Sequence, residues 1–229
     1  MAKKKNVQQD GFENVENVLS RTEQYIEDNQ KSLTIIVAAI IVIVGGYLAF
    51  DRLYVNPMEK EAKAQMFVAE QYFERDSFNL ALYGDGVELG FLDIIDEYGI
   101  SNTANLAHYY AGISFLHLGD YESAIDYLKG FESDDQIIAP MALGAIGDAY
   151  AELGEFETAL SFYLKAANKN INEFTTPIYL MKAAQIHEHL EEYGKALALY
   201  ERVKKDHPKS NEARYIDKYI TRANGILNN

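Results

Sequence analysis

The sequence predicts an all-α protein: one N-terminal transmembrane helix followed by an α-solenoid of helical hairpins. Two observations carry that expectation. Residues 32–50 read SLTIIVAAIIVIVGGYLAF, nineteen residues without a charge. Further along, three segments repeat one pattern of small and aromatic residues, at spacings of 35 and 37 residues.

At a rise of about 1.5 Å per residue, such a run spans roughly 28 Å as a helix, close to the thickness of a bilayer's hydrocarbon core. Backbone amides in lipid must pair within the segment, so a helix is the expected form. Tyr47 lies where an interfacial aromatic belongs. Thirty-one residues precede the run, and no small-x-small pair suits cleavage, which argues against a secretory signal peptide. The chain has no cysteine, which excludes a lipoprotein anchor, disulfides and Cys-based zinc sites.

The tail, residues 1–31, places Phe12, Val15, Leu19, Thr22 and Ile26 at helical spacing. An amphipathic helix is expected there, either packing on a partner or membrane surface or serving as a stalk. Lys3, Lys4, Lys5, Arg21 and Lys31 precede the span, whereas Arg52, Lys60 and Lys63 follow it. The positive-inside rule then favours a cytoplasmic tail. Residues 51–61 read as a juxtamembrane linker, with a break at Asn56-Pro57.

Residues 62–105 read as a degenerate repeat with an insertion. Ala69, Tyr72, Phe78 and Ala81 fall at repeat-like positions, and Tyr83-Gly84-Asp85-Gly86 then interrupts them. That Gly-Asp-Gly lacks a P-loop lysine and reads as a turn, with a new helix expected over 87–98. Three hairpins follow over 106–209, aligned on Ala124, Ala159 and Ala196. Twelve positions before these lie Gly112, Gly147 and Ala184; three before lie Tyr121, Phe156 and Tyr193; four after lie Leu128, Tyr163 and Tyr200. Gly119 and Gly154 are suited to end first helices in the left-handed conformation, and Pro208 stops the last hairpin. The pattern resembles the tetratricopeptide repeat (TPR), whose period is 34 residues. Residues 210–229 are expected to form a capping helix after Ser210, with Tyr215, Ile216, Tyr219 and Ile220 as its buried stripe.

Charge is uneven. Between residues 70 and 160 stand eighteen acidic and two basic residues; between 195 and 229, eight basic and four acidic. The acidic body would repel nucleic acid, so none is expected as a partner. It either favours cationic segments or only keeps the domain soluble. No catalytic constellation or cofactor site is recognisable, and no enzyme is expected. His187 and His189 are two apart rather than the four that a helical zinc motif needs. Asp93, Asp96 and Glu97 lack calcium-loop spacing, and Asp134-Asp135 suit a turn or cap.

The repeat resemblance implies a groove lined by first helices. It carries over to Tyr109, Ile113, Leu116 and His117, then Met141, Asp148 and Glu152, then Ile178, Met181, Gln185 and His189. Such a surface would suit unfolded or extended polypeptide with apolar stretches flanked by basic residues. By layout, and by the approach QYIEDNQKSLTIIV, the chain resembles the YfgM-type ancillary proteins of the bacterial Sec translocon. It also resembles single-span repeat proteins of Bacteroidota. The first resemblance implies a single-pass inner-membrane protein with a cytoplasmic N-terminus and a periplasmic domain. It implies SecYEG and a PpiD-like membrane chaperone as partners. A translocon-associated adaptor or chaperone is one expected function; an assembly scaffold for another envelope system, such as cytochrome c maturation, is the other.

Overall fold

Among the described residues every regular element is helical. The computed structural model describes residues 25–228. Of the apolar stripe expected in the tail only Ile26 is among them; Phe12, Val15, Leu19 and Thr22 lie outside. The chain divides after Pro57 into two units.

The first unit contains α1, Gln30–Phe50, in which no residue is buried. The helical run Gln30–Glu74 carries a window of mean hydropathy 2.7, long and apolar enough to cross a membrane. A π turn follows over Asp51–Val55, where the Asn56 N–H donates five residues back to the Asp51 carbonyl. Asn56 Nδ2 donates to that carbonyl and to the Asp51 carboxylate, each at 3.0 Å. Residues 51–61, expected as a linker broken at Asn56-Pro57, are instead helical, because α2 spans Asn56–Glu74. A proline in a helix removes one hydrogen bond and crowds the carbonyl four residues back. The widened turn just before Pro57 is where that disruption is absorbed.

In the second unit α2 is followed by a short α3, Phe78–Tyr83, with the Phe73 and Phe78 rings 5.6 Å apart across the turn, and an insertion carries α4, Phe91–Glu97. This helix starts later than the expected residue 87. The Asp85 carboxylate accepts from the amides of Val87 and Glu88 at 2.9 and 2.8 Å and from the Tyr72 hydroxyl at 2.8 Å, winding the chain into a turn. Three hairpins follow: α5 Asn102–Leu118 with α6 Tyr121–Gly130, α7 Ile138–Glu152 with α8 Phe156–Lys169, and α9 Thr175–His189 with α10 Tyr193–Asp206. Ser210 Oγ then accepts from the Ala213 amide at 3.1 Å, a 3₁₀ turn covers Glu212–Arg214, and α11 runs Ile216–Leu227. The expected stripe on α11 is corrected at its first member. Ile216 is buried, but Tyr215 is 70% exposed, because it precedes the helix.

One turn geometry ends every first helix. The amides of Ser77, Asp120, Glu155 and Glu192 donate to the carbonyls of Tyr72, Phe115, Tyr150 and His187, each five residues back. The residues just before them are left-handed: Asp76 at φ 56°, Gly119 at 79°, Gly154 at 78° and Glu191 at 59°. This is the Schellman closure, and its fourfold recurrence puts the degenerate unit in phase with the other three.

Packing follows the small residues. A Cβ on Gly112 would come within 2.5 Å of Leu128, and one on Gly147 within 2.7 Å of the Tyr163 ring. Between hairpins, a Cβ on Gly144 would meet the Tyr179 ring at 1.9 Å. The preceding junction reverses the sizes. Tyr109 takes the place of Gly144, its ring 5.4 Å from Phe131, and Ala142 takes that of Tyr179. Polar ties join neighbouring hairpins one repeat apart: Lys182 to Asp148, Arg202 to Asn168 and Arg222 to Glu188, each 34 residues distant in sequence.

Candidate functional site: the face of the first helices

Three first helices, α5, α7 and α9, contribute Leu116, Asp148 with Ala151 and Glu152, and Lys182 to one cleft of about 330 Å³. Tyr121 and Tyr163 of the second helices complete it. Lys182 Nζ donates to both Asp148 carboxylate oxygens, at 2.6 and 2.8 Å, and the Tyr163 hydroxyl donates to one of them at 2.7 Å. Asp148 is therefore a paired group, and the free acid of the cleft is Glu152, which accepts from the Tyr121 hydroxyl at 3.4 Å. Burial, reinforced by the Asp148 charge, pushes the Tyr163 and Tyr179 phenols well above the usual tyrosine range. Both phenols stay neutral, and that of Tyr163 keeps its hydrogen bond to Asp148.

Of the residues expected to line a groove, Leu116, Asp148 and Glu152 meet in this cleft. Tyr109, Ile113 and Ile178 are half-buried and pack into the core clusters. Met181 is buried and lines a second cleft of about 260 Å³ with Asn211, Glu212, Tyr215 and Tyr219 of the C-terminal segment. Met141, Gln185, His117 and His189 are exposed. The His117 ring stacks on Phe78 at 4.4 Å, and that of His189 lies 4.1 Å from Phe156. Each ring thus caps the start of the preceding hairpin's second helix, as Glu152 does for Tyr121. Lys182 went unrecognised in the sequence, although its spacing of one repeat from Asp148 is a usable signal.

Among the described residues no group of His, Asp and Glu is arranged to hold a metal ion. His187 Nδ1 lies 2.7 Å from Glu192 Oε2, so this buried histidine ties the end of α9 to the start of α10. A shallow cleft of mixed polarity and repeated packing of hairpin on hairpin define a helical-repeat scaffold. The comparisons narrow the class. One tetratricopeptide-repeat profile matches residues 106–134 and 179–210, and another matches 142–173. The chain thus carries tetratricopeptide repeats, which point to a role in protein–protein interaction, and its described residues are all-helical in their regular elements. A comparison with curated proteins gives no match.

Proposed function

We propose that the protein is a membrane-anchored adaptor or chaperone that holds extended polypeptide on its first-helix face during translocation. The observation that carries this reading is the cleft spanning α5, α7 and α9, where Leu116, Tyr121 and Ala151 lie beside the carboxylate of Glu152, which has no ion-pair partner among the described residues. Apolar contacts beside a free acid suit a segment that alternates apolar and basic residues. Affinity for each segment is weak at so shallow a site. Tethering near the point of emergence compensates by raising local concentration. With α1 as the anchor and the tail in the cytoplasm, the repeat domain stands in the periplasm of a bacterial inner membrane. The YfgM-type resemblance supports the Sec translocon and a PpiD-like chaperone as its companions.

The test is purification from membranes through a C-terminal tag, with and without Leu116→Ser combined with Glu152→Lys. SecYEG should co-purify in both cases, and crosslinked clients only with the unaltered face. Recovery of cytochrome c assembly components in place of SecYEG would transfer the reading to an envelope scaffold. Protease added to spheroplasts should remove the repeat domain and spare the tail; a protected domain defeats the periplasmic assignment.

A further inference from the structure

A cavity of about 610 Å³, sharing no lining residue with the first-helix cleft, lies where α6 passes into α7. Leu128, Phe131, Ala142, Leu143 and Ile146 form its apolar wall, and Glu132, Asp134 and Lys169 its rim. The next junction explains why it is open. There α8 continues to Lys169, and its last turn places the fully buried Ala166 and Ala167 in register with Phe131 and Glu132. By contrast α6 ends at Gly130, one turn earlier. Tyr163 and Tyr179, both buried, occupy the positions held here by Leu128 and Ala142. The cavity is thus the place of a missing helical turn, while the Tyr179 ring has its counterpart here in Tyr109, which comes from the facing helix and lies 5.4 Å from Phe131.

Its walls are braced. Asn105 exchanges hydrogen bonds with the backbone of Glu132 at 2.8 and 2.9 Å. Asn170 and Asn172 donate to the carbonyls of Asp135 and Gln136 at 3.0 and 3.1 Å. The Asp135 carboxylate accepts from the amides of Ile137 and Ile138 at 2.8 and 2.9 Å, capping α7. Only the rim is loosely closed, by a Lys169–Asp134 pair of 3.2 Å whose acid is fully exposed. Exposed pairs of this kind exchange at little cost.

We propose that this cavity is a second docking site and receives one aromatic side chain of a partner segment bearing an adjacent Lys or Arg. The ring enters the space that the last turn of α8 fills at the next junction. The cation takes Asp134 from Lys169 and is shared with Glu132. This site does not depend on the first-helix face.

The chain has no tryptophan, so Phe131→Trp makes a single reporter in the wall. The probe is the peptide Gly-Ser-Phe-Arg-Lys-Ser-Gly, added to the full chain in phosphatidylcholine nanodiscs. A saturable shift in emission is expected, at least tenfold weaker for the peptide with Ala in place of Phe. Glu132→Gln with Asp134→Asn, both exposed and safe for folding, should weaken binding at least threefold at low salt and not at 1 M salt. Ala142→Phe should abolish the shift. An unresponsive reporter overturns the proposal. So does a response that survives the rim variants, or one lost on Leu116→Ser with Glu152→Lys, which would move the peptide to the first-helix cleft. Failure of client capture on that cleft, with the reporter still responding, would overturn only the function proposed above.

Discussion

Lys182 and Asp148 are 34 residues apart in sequence and 2.6 Å apart in space, an ion pair that joins α9 to α7. It occupies the centre of the first-helix cleft and removes one of the two acids expected there from service to a partner. Both side chains remain about one-third exposed, at 36% and 32%, so water screens much of the attraction.

A double-mutant cycle of Lys182→Met and Asp148→Asn should therefore give a coupling of only about 0.5–1 kcal/mol. Urea unfolding of the full chain in detergent measures it. Coupling above about 3 kcal/mol, the range of a buried pair, would contradict the solvent-screened geometry.

Glu191 repeats the left-handed turn of Gly119 and Gly154 without being glycine. Left-handed backbone costs a non-glycine residue about 1 kcal/mol. Glu191→Gly should then raise the melting temperature by about 2–4 °C. Gly154→Ala should lower it comparably. A lower melting temperature for Glu191→Gly would mean that its side chain, not its backbone, is what the turn needs.

Gly144 accepts the Tyr179 ring so closely that Gly144→Ala should cost about 1–3 kcal/mol by overpacking. Gly194, where an added Cβ meets nothing within 4 Å, is the control. Gly194→Ala should stabilise α10 by up to about 1 kcal/mol. Equal effects at the two positions would show that the junction is looser than described.

Acid sensitivity should trace to His108. Burial holds its imidazole below the ordinary value, and its Nδ1 is enclosed without a partner, against Gly130. A depressed folded-state pKa means that the neutral form is the one stabilised. Its contribution is complete above an ordinary pKa of about 6.5 and is lost as pH falls from there through the folded value. The carboxyls of Glu59, hydrogen-bonded by Lys63 and Thr103, and of Asp135, holding two backbone amides, are also shifted downward. They lose their contribution only in the lower window below the ordinary carboxylate range. Melting curves from pH 8 to 5 should fall for the wild type and flatten for His108→Phe. Parallel curves would exonerate the histidine.

The hairpins were legible because their determinants are local. Gly112 and Gly147 announce close helix approach, and Gly119 and Gly154 announce the turns. Asp76 and Glu191 hid the same turn because neither is a glycine; only the position counted back from the second-helix alanine reveals them. The apparent break at Asn56-Pro57 misled because a proline signal says nothing about a π turn placed to absorb it. The cleft was half legible. Leu116 and Glu152 follow from the resemblance to the repeat family, which carries its groove positions over to them. The neutralisation of Asp148 depends on which repeat lies next to which, a relation that appears in the sequence only as a distance of one period.

The reversal of sizes at successive junctions, with Tyr109 and Ala142 at the register positions that Gly144 and Tyr179 hold at the next, makes the hairpins unlike as building blocks. Each upper surface fits only the lower surface that follows it in the chain. Exchanging the second and third hairpins, or duplicating one of them, would set ring against ring at one seam and leave a void at another. The order of the units is thereby fixed by shape, and the array cannot lengthen by simple copying as uniform solenoids do.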